Sequence, residues 1–187
     1  FASKIMVIDD LADRKHDCDL LLDQNLYKNS EIRYNNLVPL HCQWLLGPDY
    51  ALLRSEFLQA RKKIRSRDGS VKRILVFFGG ADPSNETSKV LEALVILKDS
   101  GIFLDVVVGE INAEKENIKN LCKTMPNTNF YVQIADMAYL MLNADFAFGG
   151  SGSSTWERLA MGLPAAVIPI AENQLQIACD AAELGVV

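Results

Sequence analysis

The stretch DFAFGGSGSSTWERLAMGLPAAVIPI (145–170) decides the fold. It reads as an apolar strand at 145–150 closed by two glycines, a glycine-serine turn, a helix at 154–161 and a second apolar strand at 165–170. Short runs that are apolar throughout, rather than alternating, suit parallel strands covered on both faces. The same alternation extends back along the chain. RILVFFGG (73–80) is a strand, and 85–97 is a helix with Val90, Leu91, Leu94, Val95 and Leu97 at helical spacing. FLDVVVG (103–109) is followed by a helix over 113–125 that stops before Pro126, and NFYVQIA (129–135) by a short helix over 137–143. Forward of the opening stretch, 174–184 closes as a helix. Five β-α units at this spacing predict an α/β protein with an open, doubly wound parallel sheet.

The first 70 residues are less regular. Strands are predicted at 5–8, 19–22 and 42–46, and a helix over 50–64 carrying Leu53, Phe57, Ala60 and Ile64 on one face. On that face, Arg54 would turn about 100° away from the core. The basic cluster Arg61, Lys62, Lys63, Arg65 and Arg67 sits at the helix C-terminal end, where cations favour the helix dipole. Three parts are therefore expected: 1–49 as the tail of one α/β domain, 50–70 as a bridging helix and linker, and 71–187 as most of a second. The chain opens on Phe1 inside a strand-like run and stops at a strand-like Val186-Val187, so a piece of a longer protein is expected.

Composition narrows the function. Nineteen Lys and Arg stand against 24 Asp and Glu, a formal charge of −5, which argues against a general nucleic-acid binder because phosphate-dominated binding needs a basic face. No apolar run approaches the ~18 residues of a membrane span. Cys18, Cys42, Cys122 and Cys179 lie far apart in sequence with no C-x-x-C, which reads as reduced, buried thiols of a cytoplasmic protein; neither a disulfide nor a metal site is expected.

In such sheets ligands bind beyond the C-terminal ends of the strands. GGADPSNET (79–87), GGSGSSTWE (149–157) and AENQ (171–174) fall there. The glycine-serine turn suits a diphosphate, since glycine admits a ligand close to the backbone and helix-opening N–H groups attract anions. An equally good reading makes Ser154 to Glu157 an S-x-x-E capping box. Asp82-Pro83 with Ser84 and Asn85 is ordinary turn and cap chemistry, although the two glycines before it could equally border a substrate. His16 and His41 lie near no serine elbow and no evident carboxylate orienter, and each reads as structural. Asp9 and Asp10 are adjacent in a strand and point to opposite faces, so they form no acid pair.

Taken together, DDLADRKHDCDLLLDQN (9–25), LLGPDYALLRSEF (45–57), VFFGGADPSN (76–85) and GGSGSSTWERLAMGLPAAVIPIAENQ (149–174) resemble, in this order, the UDP-2,4-diacetamido-2,4,6-trideoxy-β-L-altropyranose hydrolase family of pseudaminic acid biosynthesis. That family is similar to the transferase that adds N-acetylglucosamine to lipid I, and the resemblance implies a GT-B arrangement of two Rossmann-like domains. It further implies a UDP-sugar substrate, no cofactor, no metal, no nucleic-acid partner and a monomer. Glu157 would accept hydrogen bonds from the ribose hydroxyls, and Ser151, Gly152, Ser153 and Ser154 would bind the diphosphate through backbone N–H groups. Asn173 and Gln174 would reach the phosphates or the sugar, Arg54 would contact substrate, and Gly79 and Gly80 would border the sugar phosphate. The resemblance departs at one point. The family's general base is a His in a G-x-G-H loop, which these 187 residues do not contain, and neither His16 nor His41 matches it.

Overall fold

The computed structural model describes residues 2–187. It divides into two compact units, Phe1–Leu52 with Asn173–Val186, and Leu53–Glu172 with the final valine.

In the larger unit, β4 (Arg73–Phe77), β5 (Phe103–Val108), β6 (Thr128–Val132), β7 (Phe146–Gly149) and β8 (Ala165–Val167) form one sheet in the order β6-β5-β4-β7-β8, every pair parallel. Helices α3 (Glu86–Leu94), α4 (Lys115–Thr124), α5 (Met137–Asn143) and α6 (Ser154–Ala160) connect the strands. Period-two alternation explains why β4 and β5 read as continuous apolar runs. Ile74, Val76, Phe78, Leu104, Val106 and Val108 enter one core with Val90, Leu91 and Ile118. Leu75 and Val107 enter a second core with Leu140, Met141 and Met161, so both faces of the sheet are covered. Beyond β8, Pro169 has no N–H for a ladder, and the strand stops at Val167 rather than reaching 170.

The predicted helix over 50–64 is much shorter. A 3-10 turn covers Pro48–Tyr50, and α2 runs only over Ser55–Arg61. Phe57 is its buried residue, at 1% exposure, whereas Ile64 lies beyond its end and is exposed. Arg61 lies in the last turn of α2, as expected, whereas Arg65 and Arg67 lie beyond the helix and serve other groups. The Arg67 guanidinium donates to the carbonyls of Met141 (3.1 Å), Ala144 (3.1 Å), Met161 (3.0 Å) and Gly162 (2.8 Å), so it caps the C-terminal ends of both α5 and α6. Arg65 pairs with Asp145, whose other oxygen accepts the Lys72 and Arg73 amides at 2.8 and 2.9 Å.

The smaller unit holds a three-stranded parallel sheet, β1 (Met6–Ile8), β2 (Leu20–Asp23) and β3 (Gln43–Leu46), in that order, with α1 (Ser30–Arg33) between β2 and β3. Helix α7 (Asn173–Glu183) belongs to this unit: the Asp180 carboxylate accepts the Lys28 amide at 3.0 Å, and Lys28 pairs with Glu183. Two expectations need correcting here. The four cysteines are not all buried: Cys18 and Cys122 are, but Cys42, whose sulfur lies 3.6 Å from that of Cys18, is partly exposed and Cys179 is exposed. His16 does have a carboxylate beside it: its Nε2 is 3.6 Å from Asp9 Oδ2 and has no hydrogen-bond partner. Packing joins these groups across loops that sequence spacing cannot measure. Among the described residues, no helix is long and apolar enough to cross a membrane.

Candidate functional site

In the larger unit the chain winds from β4 outward through β5 and β6, and then returns to the other side of β4 with β7 and β8. The winding direction therefore reverses between β4 and β7, and the crevice beyond the C-terminal ends of those strands is where such sheets take ligands. Gly79 and Gly80 follow β4, and the 149–154 turn follows β7. Both glycine segments thus flank the switch point. The backbone there is close-packed: a Cβ on Gly109, after β5, would fall 2.3 Å from the Gly80 carbonyl oxygen.

The Gly79–Gly80 segment leads into α3, whose first-turn amides are already filled. Buried Asp82 accepts the Glu86 and Thr87 N–H groups at 2.9 Å each, and Asn85, in the left-handed region, makes no side-chain cap. Asp82, rather than Ser84 or Asn85, is the cap. An anionic ligand at this N-terminus would meet a carboxylate.

The turn after β7 is different. The residue preceding α6, Ser153, makes no side-chain capping bond. Glu157 does not act in a capping box; its Oε1 accepts from Arg54 Nε at 3.2 Å. Arg54 lies just before α2 in extended backbone, not inside the helix. Its Nη1 also reaches Glu56 at 3.1 Å, and its guanidinium carbon lies 5.2 Å from the Phe57 ring centre. The structure thus brings together Arg54 and Glu157, which are 103 positions apart in sequence, through the anchoring of α2 by Phe57. Burial pushes the Glu157 carboxyl above its ordinary value, and Arg54 partly offsets that.

Sequence reasoning passed over Arg158. It is only 2% exposed. Its Nη2 donates to the Gly150 carbonyl at 2.7 Å and to Thr155 Oγ1 at 3.1 Å, and its Nη1 to Ser154 Oγ at 3.1 Å. A Cβ on Gly149 would fall 2.7 Å from that Nη1, so glycine leaves the room the guanidinium occupies. The sequence signal was the glycine itself, read only as an approach for ligand. Asn173 and Gln174 open α7 in the smaller unit, where Asn173 Nδ2 lies 3.3 Å from Asp10 Oδ2.

Comparison with known proteins adds the following. Residues 74–186 match the family model described as the glycosyltransferase family 28 C-terminal domain. The chain is 32% identical over 142 residues to the spore coat polysaccharide biosynthesis protein SpsG of Bacillus subtilis, covering 74% of this chain and 41% of that protein. It is 26% identical over 182 residues to the UDP-2,4-diacetamido-2,4,6-trideoxy-beta-L-altropyranose hydrolase of Campylobacter jejuni, covering 97% of this chain and 63% of that protein. It thus spans less than two thirds of either relative. Among solved structures it is similar to MurG of Acinetobacter baumannii, with a TM-score of 0.49 and 19% identity over 90% of this chain and 44% of that one. With more than half of its residues inside the family match, the chain belongs to the glycosyltransferase family 28 C-terminal domain family.

Proposed function

We propose that the chain carries the nucleotide site of a cytoplasmic enzyme that hydrolyses a UDP-linked 2,4-diacetamido-2,4,6-trideoxy sugar for pseudaminic acid biosynthesis. Water attacks the anomeric carbon, the bond from that carbon to the diphosphate oxygen breaks, and UDP and free sugar leave. Glu157 takes the ribose hydroxyls, the 151–154 turn takes the diphosphate, and Gly79 and Gly80 border the phosphate nearer the sugar. Arg54 contacts substrate, and Asn173 and Gln174 reach the phosphates or the sugar. The observation that carries this reading is the meeting of Arg54 and Glu157 at 3.2 Å, in a chain whose glycine-serine turn follows β7 at the switch point. A carboxylate engaged by a half-exposed arginine can exchange that partner for a ligand's hydroxyls. The 26% identity to the Campylobacter hydrolase, over 97% of this chain, favours water as acceptor. The family 28 description favours a second reading, in which the same UDP site serves sugar transfer to another acceptor.

Calorimetry with UDP tests the site. The 187-residue chain should bind UDP, and Glu157→Ala should weaken binding by about 1.5–3 kcal/mol, the scale of a hydrogen bond to a charged group. Unchanged affinity in a folded Glu157→Ala variant would remove Glu157 from the site. Supplying the UDP-sugar to the complete enzyme, with and without a candidate acceptor, separates hydrolysis from transfer.

A further inference from the structure

Arg158, to which the family resemblance gives no role, holds the 149–154 turn at the Gly150 carbonyl and the Ser154 hydroxyl. Glu157 and Arg158 are neighbours on α6 but behave oppositely: the glutamate reaches Arg54, while the arginine is buried. No Asp or Glu makes an ion pair with Arg158 among the described residues, and its Nε has no hydrogen-bond partner. Burial draws its pKa down to about 10, with nearby Glu157 opposing, so it remains a cation at neutral pH. A buried cation without a counter-carboxylate is costly, and the neutral acceptors around Arg158 offset that cost less than an anion would. Helix α6 has only seven residues and offers little dipole of its own.

The hydrogen bonds show what the guanidinium does to the turn. It spans the Gly150 carbonyl, just before the expected diphosphate loop of 151–154, and the Ser154 hydroxyl at that loop's end. Among the described residues there are no cis peptides. In a planar trans peptide the N–H points opposite to the preceding carbonyl. With the Gly150 carbonyl drawn onto Arg158, the Ser151 N–H points away from the guanidinium.

Resting on the UDP-site reading above, we propose that Arg158 is a positioning residue for the nucleotide's diphosphate: it fixes the peptide orientation of the 150–154 turn and supplies, from beneath it, the positive charge that the phosphates meet. The ligand class that this device serves is a nucleoside diphosphate rather than a nucleoside.

The test compares UDP with uridine by calorimetry on the full chain, in wild type, Arg158→Gln, Arg158→Lys and Thr155→Val, with circular dichroism checking each fold. Arg158→Gln should weaken UDP about tenfold or more while uridine affinity holds within about twofold, because only the phosphates meet the charge. Arg158→Lys keeps the charge without the fork and should fall between. Thr155→Val leaves Arg158 in place, removes one of its acceptors, and should lower the UDP-to-uridine ratio about two- to fivefold. If Arg158→Gln does not fold, the lysine and valine variants decide. Equal losses for UDP and uridine, or an unchanged ratio in the folded variants, would reduce Arg158 to a core support and overturn the proposal. Wild-type chain that binds neither ligand would instead overturn the UDP-site reading, and this inference with it.

Discussion

Burial raises the Glu157 carboxyl above its ordinary value, and the Arg54 guanidinium only partly offsets it. The sign of the pH linkage follows. A carboxyl whose folded pKa lies above its unfolded value takes its proton first in the folded state as pH falls. The cost of keeping it charged is therefore carried in full above the folded pKa and relieved below it. Glu157→Gln should leave the melting temperature at pH 7 equal to or above that of the parent, and this advantage should shrink as pH drops towards the ordinary carboxylate range. The same variant should lose UDP affinity. Thermal melts across pH 4 to 8, beside calorimetry, check both halves, and a melting temperature well below the parent's at pH 7 would mean that the Arg54 pair stabilises more than burial costs. The thiols give a second prediction at this scale. Burial pushes Cys122 to about 11, and burial together with the neighbouring Cys18 pushes Cys42 to about 11, so at pH 8 roughly one in 10³ of either is thiolate, the reactive form. Iodoacetamide at pH 8 should label exposed Cys179 first and reach Cys42 and Cys122 only with denaturant, as peptide mass mapping would read out. Labelling of Cys42 in step with Cys179 would contradict its packing against Cys18.

The strands and helices of the larger unit were legible because both-face burial writes itself as unbroken apolar runs, as in β4 and β5, and because glycines and Pro126 punctuate them, whereas the strand at 165–170 was read through Pro169 and ends at Val167. What failed to read was long-range polar contact. The 154–157 pattern fits a capping box, but a partner 103 positions away takes the glutamate, and no local pattern contains that partner. Arg158 beside Glu157 looks like a solvated charge pair, yet it is buried under a turn. Arg67 looked like one charge in a basic tail, yet its four hydrogen bonds serve the carbonyl ends of α5 and α6 together. Arg67→Ala should therefore destabilise the chain by about 2–4 kcal/mol, since several helix-end carbonyls lose a charged donor at once. Arg67→Lys should recover only a minor part, because an ammonium group cannot span both helix ends. Urea unfolding of the three proteins measures the difference, and full recovery by lysine would show that charge, rather than the fork, does the holding.

For the whole molecule the question is whether the 187 residues can complete the reaction as well as hold the nucleotide. Water attack at an anomeric carbon calls for a positioned base, and general-base catalysis contributes about 10²–10⁴ in rate. The chain contains no G-x-G-H, and its two histidines fit the task poorly. His41 is exposed, with Asp19 at 3.8 Å from its Nε2. His16 is the better candidate, since Asp9 beside it stays a carboxylate: burial would raise its pKa, but the Ala12 amide, the Tyr34 hydroxyl, His16 and Arg14 together bring it below the ordinary value. That arrangement resembles a base with its orienter, but the ring is nearly enclosed and its Nε2 faces Asp9 rather than an open space where water and sugar could meet. We therefore expect the chain to bind UDP yet release none from the UDP-sugar above the uncatalysed rate, with His16→Ala and His41→Ala indistinguishable from wild type in a UDP-release assay. Turnover lost with His16→Ala but retained with His41→Ala would make the Asp9–His16 pair the catalytic base.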